Sequence, residues 1–383
     1  GYNQAKNMKT VIIGGGASGI SAAIRLKQLN SDMSVTVIEH LGEIMKKIYA
    51  TGNGRCNIAN KNAEHYDEVK DFLSSLGLIL REDEKGRMYP YSNQASSVVE
   101  VFKTECEKLG IEILTDCNVK NADCYENTFH IYTDKGIIDS DYLILATGGK
   151  SQPPLGSDGS GYALSKKFGH KITVLSPALV QLKSSSKHCR ALKGVRTKCN
   201  VKIETNGEIS GEDYGEVLFT DYGISGIVVM NLSHLINDER LLHNKDKSIA
   251  ILDFVPEMSE NDLVKHYENF GTYEGILPKK LCSIISKQAG DNYAAMARCI
   301  KNWRIIITGT KGYDFAQITS GGVDLIELGH GNNSLIRKGL YIIGELTNSQ
   351  FECGGFNLNY AIFSGINAAN DITKGTVKND KNK

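Results

Sequence analysis

The chain has no excess charge of either sign: Lys and Arg number 44, Asp and Glu 44, in 383 residues. No field of one sign is therefore available to draw in nucleic acid or an anionic membrane. No apolar run approaches the length of a membrane span, and the polar start Gly1-Tyr2-Asn3-Gln4 is not that of a secretory signal. The 9 cysteines include no Cys-x-x-Cys pair, which excludes a zinc ribbon and a dithiol redox centre. We read them as small buried groups of a reducing, cytoplasmic protein. The 9 histidines do not cluster at ligand spacing, so no metal site is expected. No nucleophile elbow is present to support Ser-His-Asp hydrolysis, and no internal repeat is visible. Hydrophobic residues at 41% and charged residues at 23% fit an ordinary globular chain long enough for two or three domains.

Against these absences, residues 9–39 carry a dense local signal. Thr10-Val11-Ile12-Ile13 is an apolar strand, Gly14-Gly15-Gly16-Ala17-Ser18-Gly19 turns the chain, and small residues open a helix. Val35-Thr36-Val37-Ile38 is a second strand ending in Glu39. Gly14 permits the tight turn, Gly16 lets backbone amides approach a pyrophosphate, and Gly19 allows close helix–strand packing. Glu39 stands about 20 residues beyond, where a carboxylate meets a ribose. The helix N-terminus, with unpaired N–H groups and roughly half a positive charge, suits the diphosphate. The pattern predicts a bound dinucleotide.

Two more glycine-bearing strand ends recur far along the chain: Thr147-Gly148-Gly149 after Tyr142–Ala146, and Gly344-Glu345 followed by Gly354-Gly355. A nicotinamide enzyme needs only the first such turn. An extended FAD needs all three: diphosphate at the first, a close crossover at the second, ribitol and flavin pyrimidine at the third. The amides of Gly355, Phe356 and Asn357, with a helix dipole behind them, are placed to stabilise negative charge at flavin N1 and O2.

The strings Ala50-Thr-Gly-Asn-Gly-Arg-Cys-Asn57, Gly215-Glu-Val-Leu-Phe-Thr220, Gly223-Ile-Ser-Gly226, Thr319-Ser-Gly-Gly-Val323 and Gly344-Glu-Leu346 together resemble one family. It is the group of bacterial FAD-dependent oxidoreductases called aminoacetone oxidase-like, which also includes a reductase of bile-acid enones. The likeness spans residues 9–372. It implies an α/β fold: a glutathione-reductase-type, Rossmann-like FAD domain interrupted by a β-rich insert with a helical subdomain. We expect the FAD domain over 8–183 and 313–375, the insert over 184–312, and a disordered tail over 376–383. The first seven residues, ahead of Met8, are read as an upstream extension.

The expected cofactor-binding set is Gly14, Gly16, Ala17, Ser18 and Gly19; Glu39 and His40; Lys47, Thr51, Gly52, Arg55, Cys56 and Asn57; Val119; Thr147, Gly148 and Gly149; and Gly344, Glu345, Gly354, Gly355, Phe356, Asn357 and Leu358. Arg55 could pair with the diphosphate or a substrate carboxylate, or simply fasten its loop. For catalysis the candidates are Asp221 and Tyr222 as proton donors, Tyr360 as a pocket wall, and Cys56 as a thiol beside the flavin. Each has a structural counterpart: a turn Asp, a packing Tyr, a core helix residue and a packed small side chain.

The chain departs from the family pattern twice. Where the family often carries Phe-Thr-His-aromatic-Gly, this chain has Phe219-Thr-Asp221-Tyr222-Gly223, so an imidazole is absent. The family's acidic loop reads Thr347-Asn-Ser-Gln-Phe-Glu352. The expected activity is hydride transfer between a small organic substrate and flavin N5, with the substrate between FAD domain and insert. NAD(P)H is an open choice of transient co-substrate. Oxidation of an amine or amino ketone with peroxide as product is the alternative, as is a non-catalytic flavin-binding regulator.

Overall fold

The structure, a computed structural model, describes residues 7–381, with side chains to residue 376. The chain forms two compact units. One takes the chain to Leu175 and again from Thr319; the other is Ser176–Ile318.

The first unit is built on a five-stranded parallel sheet in the order Leu340–Ile342, Tyr142–Leu145, Lys9–Ile13, Ser34–Ile38, Glu112–Leu114. Its strands read as nearly continuous apolar runs because both faces are covered. Alternate residues serve different cores. Ile12, Val37 and Ile144 pack with the helices Ala17–Leu29 and Ala95–Leu109 and with the C-terminal helix. Val11, Ile38 and Leu143 face the other way, toward the antiparallel sheet Val119–Tyr125, Thr128–Thr133, Gly136–Ser140 and its Phe129. Ile12, Val11, Ile144 and Leu143 are completely buried, and each such side chain contributes about 1.5–3 kcal/mol.

The long helix Phe356–Lys381 lies against Ala17–Leu29 with backbones close enough that a Cβ on Gly365 would stand 2.5 Å from the Ser18 carbonyl oxygen. This contact locks together the two helices whose N-termini face the candidate site. A helix at Tyr66–Ser75 and a small sheet of Ala59–Asn60, Arg87–Pro90 and Leu80–Glu82 complete the unit; none of these is foreseen from the sequence.

The second unit is a closed six-stranded antiparallel barrel. Its order is Leu182–Ser184, Gly223–Ser225, Glu208–Phe219, Arg196–Thr205, Ser248–Asp253, Trp303–Thr310. Val201, Val217, Leu252 and Ile305 fill one core with Leu263, Leu281 and Met296 from three helices, Glu260–Phe270, Lys279–Ala289 and Tyr293–Lys301. The first of these begins with the capping box that Ser259 and Asp262 spell out: each side chain accepts the other's backbone N–H.

Two boundaries differ from those drawn on sequence. The second unit begins at Ser176 rather than 184 and ends at Ile318 rather than 312. The reason is that Leu182 pairs with both Ile224 and Thr310, so the short run Leu182–Ser184 is a barrel stave. The tail assigned to disorder over 376–383 is helical as far as Lys381; residues 382 and 383 lie outside the described residues. Gly375 does not adopt the left-handed conformation that would cap the helix, and no proline follows it.

Among the described residues no helix is long and apolar enough to cross a membrane, and no group of three or more His, Cys, Asp or Glu could hold a metal ion.

Candidate active site

Three loops at the carboxyl ends of the parallel strands converge in the first unit. After Lys9–Ile13, Gly14 sits at φ +113°, and a Cβ there would stand 2.1 Å from the Ala146 carbonyl oxygen. Gly19 is as constrained: its Cβ would lie 2.0 Å from the Gly14 oxygen. Gly16 is the opposite case. Its backbone is extended (φ −86°, ψ −166°), and a Cβ would meet nothing within 4 Å. Gly16 is the N-cap of Ala17–Leu29, no side chain caps that helix, and its first turn carries no acid. Open space thus faces a row of uncapped amides, the arrangement a diphosphate requires.

Glu39 is almost wholly buried at the end of the second strand. It accepts from the N–H of Gly15 through Oε1 (3.0 Å) and from that of Leu41 through Oε2 (2.9 Å). His40 Nδ1 lies 3.2 Å from the same Oε2. These bonds fix the carboxylate beside the glycine turn, as a ribose partner must be fixed. Val119 opens a strand two residues beyond Cys117, whose N–H donates to the Glu39 carbonyl (3.1 Å).

At the second loop, Thr147 Oγ1 is buried without a hydrogen-bond partner, an orphan consistent with a missing ligand. Gly148 is at φ +73°, and a Cβ on Gly149 would stand 2.6 Å from Thr319 Oγ1. A polar network continues from here. Thr319 donates its N–H to Glu345 Oε1 (2.6 Å), and Lys47 Nζ lies 3.4 Å from Glu345 Oε2 and 3.5 Å from Ser157 Oγ. Sequence reasoning placed Lys47 and Glu345 in the site but missed Ser157 and Thr319. The Thr319-Ser-Gly-Gly string was the available signal for Thr319; Ser157 offered none.

The third loop brings Gly354 and Gly355 against the distinctive 50–57 segment. Both glycines have positive φ, +115° and +92°. Asn60 Nδ2 donates to the Gly354 carbonyl (2.8 Å). With Asn57 oriented so that Nδ2 donates to the Ala59 carbonyl (3.1 Å), its Oδ1 accepts from the Gly355 N–H (3.1 Å). In that orientation the Gly355 amide has a partner within the protein, so of the three amides expected at a flavin carbonyl the candidates are those of Phe356 and Asn357, at the start of the C-terminal helix, whose first turn holds no acid. The Asn357 side chain braces the preceding loop through the backbone of Phe351 (2.9 Å to N and to O). Leu358 packs on the core, and Gly344 donates its N–H to Ser364 Oγ (2.9 Å).

Residues 51–56 form a contorted turn with Gly52, Asn53, Gly54 and Cys56 all at positive φ. Thr51 Oγ1 donates to the Ile48 carbonyl (2.6 Å). Arg55 is exposed, its guanidinium 4.8 Å from the Tyr89 ring centre. The Cys56 thiol corrects its candidacy as a nucleophile. It is completely buried, and burial pushes its pKa up to about 11, against a smaller lowering by Thr51. At neutral pH it is a packed neutral thiol. Cys56→Ala should therefore keep turnover within a few-fold of the parent, and iodoacetamide at pH 8 should modify Cys56 only after unfolding, as peptide mass mapping will read; rapid labelling of the native protein would restore the thiol to the chemistry.

Tyr360 is half-buried on the C-terminal helix, its hydroxyl 3.1 Å from Thr347 Oγ1. Asp221 and Tyr222 belong to the other unit. They form the turn between the barrel strands Glu208–Phe219 and Gly223–Ser225. Asp221 is exposed and lies 3.5 Å from Lys193 Nζ, while Lys311 Nζ sits 4.2 Å from the Tyr222 ring centre.

With this geometry in hand, comparison with known proteins adds the following. Residues 64–371 match the HI0933-like protein Rossmann domain. The 3-dehydro-bile acid delta(4,6)-reductase of Clostridium scindens is 35% identical, over 92% of this chain and 96% of its own length. The ribosomal RNA dihydrouridine synthase of Haemophilus influenzae is 28% identical, over 96% of this chain and 98% of its own. Among solved structures, 3-ketosteroid delta1-dehydrogenase from Sterolibacterium denitrificans, in complex with 1,4-androstadiene-3,17-dione, aligns with a TM-score of 0.52 at 10% identity, over 97% of this chain and 100% of that one. This last likeness is one of fold alone.

Proposed function

As this chain belongs to the HI0933-like family, we propose that it is an FAD-dependent oxidoreductase that saturates a C=C bond conjugated to a carbonyl in a small organic molecule, with NAD(P)H as reductant. The observation that carries the cofactor is the helix N-terminus at Gly16, which has no side-chain cap and open space at its Cβ position, beside a buried Glu39 that holds the Gly15 amide. The reaction class follows from the names of two relatives. A 3-oxo-Δ4,6 steroid acid and the uracil ring of uridine share little but a C=C bond in conjugation with a carbonyl, and both names describe its saturation.

Bound FAD supplies hydride transfer at N5. The chain's own residues do the rest. The first-turn amides of Ala17–Leu29 hold the diphosphate, and Glu39 accepts from the ribose. Lys47, tied to Glu345 and Ser157, sets the polar wall along the ribityl chain. Phe356 and Asn357 aim N–H groups and a helix dipole at the pyrimidine carbonyl, stabilising negative charge there by about 0.3–2 kcal/mol. Within the flavin-binding unit, proton delivery to the substrate carbon falls to Tyr360, whose hydroxyl lies 3.1 Å from Thr347 Oγ1. None of the 9 cysteines is joined in a disulfide, which suits a reducing cytoplasm. Balanced charge favours a small substrate over RNA.

Anaerobic stopped-flow absorbance tests this reading. NADPH or NADH should bleach the flavin within seconds, and a steroid Δ4,6-3-ketone should restore its colour faster than buffer. Restoration by uridine-containing ribosomal RNA but not by the ketone would move the substrate to RNA. Bleaching by aminoacetone and re-oxidation by oxygen with peroxide released would establish the oxidase, and a reducible flavin that no acceptor re-oxidises would leave a regulator.

A further inference from the structure

The first unit holds a cavity of about 380 Å³ that shares only Phe356 with the expected cofactor-binding residues. One helical stripe, Phe356, Asn359, Tyr360 and Phe363, supplies one wall, at the i, i+3, i+4, i+7 spacing of a single face. Its volume lies in the range of small-molecule sites.

Three features define what would fit. Flat rings stand in two pairs, each with one member on that helical stripe. His65 and Phe363 are stacked with centres 3.8 Å apart and planes within 2°, and Phe351 pairs with Tyr360 at 5.4 Å. His65 is held in this position at φ +61°, as the residue preceding the helix Tyr66–Ser75. Second, Asn359 is 1% exposed and is anchored by Nδ2 donating to the Glu64 carbonyl (3.0 Å), which leaves its Oδ1 a buried acceptor without a partner. An acceptor so placed calls for a donor. Third, no lysine or arginine lines the cavity, whereas Glu64 does. Phosphate and carboxylate groups find no permanent positive charge there, only the imidazoles of His65 and His330 beside Glu64, so a nicotinamide dinucleotide is a poor occupant.

We propose that this cavity is a binding site for a planar, conjugated ring compound that is neutral or cationic and bears an N–H or O–H donor, held against the aromatic pairs with its donor toward Asn359. The cavity shares Phe356 and Tyr360 with the flavin reading, but its test does not require bound flavin.

Fluorescence titration of the purified full chain with 1-aminoanthracene tests it, because that probe is flat, uncharged and carries an amine. The expected result is saturable binding of one probe per chain with blue-shifted emission. 1-Methylanthracene, which lacks the donor, and 1-anthracenecarboxylate, which adds an anion, should each bind about tenfold more weakly. Leu325, which lines the cavity and is 44% exposed, can be enlarged without disturbing the core; Leu325→Trp should abolish probe binding with the unfolding temperature unchanged. Glu64→Lys, also at an exposed position, should raise carboxylate affinity. Unaltered 1-aminoanthracene binding in Leu325→Trp, equal affinity for all three probes, or no saturable binding at all would overturn the proposal. A colourless protein would refute the flavin assignment and leave this titration readable.

Discussion

Replacing Gly16 with alanine should give a protein that folds normally and cannot hold its flavin. The backbone at Gly16 is one that alanine adopts freely, and the added methyl meets nothing of the protein. The ligand-free variant should thus unfold within about 0.5 kcal/mol of the parent. The same methyl stands in the open space in front of the uncapped amides, where a diphosphate oxygen must approach to hydrogen-bond distance. Flavin content, read as the ratio of absorbance near the flavin band to protein, should fall by an order of magnitude. Gly14→Ala is the contrasting case. There the left-handed backbone costs about 1–2 kcal/mol, and the methyl overlaps the Ala146 carbonyl, which belongs to the strand–loop junction beside it. That variant should lose fold and flavin together. Stoichiometric yellow flavin in purified Gly16→Ala would show that the diphosphate lies elsewhere, and with it the whole placement of the cofactor would fail.

The second large effect is expected at Gly365, nowhere near the chemistry. A side chain there would push against the backbone of Ser18 and Ala22, 2.5 and 2.9 Å from the new Cβ. Backbone atoms held in a helix cannot step aside as a side chain end can. Gly365→Val should cost at least the about 1–3 kcal/mol of an overpacked core, and each kcal/mol lowers the unfolding temperature by roughly 2–4 °C in a unit of this size. Because the crossing sets the separation of the two helix N-termini, flavin affinity should fall as well. Gly375→Ala, one helix over two turns further on and in open space, is the control. It should be neutral or stabilise by about 0.5–1 kcal/mol, since alanine gives up less chain entropy in a helix than glycine. Thermal melts of both variants with and without added FAD separate the outcomes. Equal stability of Gly365→Val and the parent would mean that the helices do not meet as closely as described.

Much of the first unit was legible in the residues. The strand–turn–helix at 9–29 and the strand ending at Glu39 are local patterns, and each glycine there has one conformational duty that few other residues could perform. The helices at 95–109, 260–270 and 293–301 carry local end signals: Gly110 in the left-handed conformation, the Ser259–Asp262 capping box and the Asn292 cap. The helix at Tyr66–Ser75 did not, because His65 stands before it at φ +61° and supplies no side-chain cap; the stave Leu182–Ser184 did not, because it is 3 residues long and its stability comes from what it pairs with. The end of the last helix was misjudged because glycine permits a stop without compelling one.

The polypeptide alone determined the glycine turn Gly14–Gly19 and the strand end at Glu39, where we propose that a nucleotide-bearing cofactor meets the chain, since turn geometry and helix-end polarity are properties of a few consecutive residues. Only the tertiary structure decided which of those groups stay free. Asn57 reaches across to occupy the Gly355 amide, Glu345 is shared between Lys47 and Thr319, and Cys56 is sealed from water. Such pairings join residues far apart along the chain, and they depend on strand register and helix crossing, which no local stretch encodes.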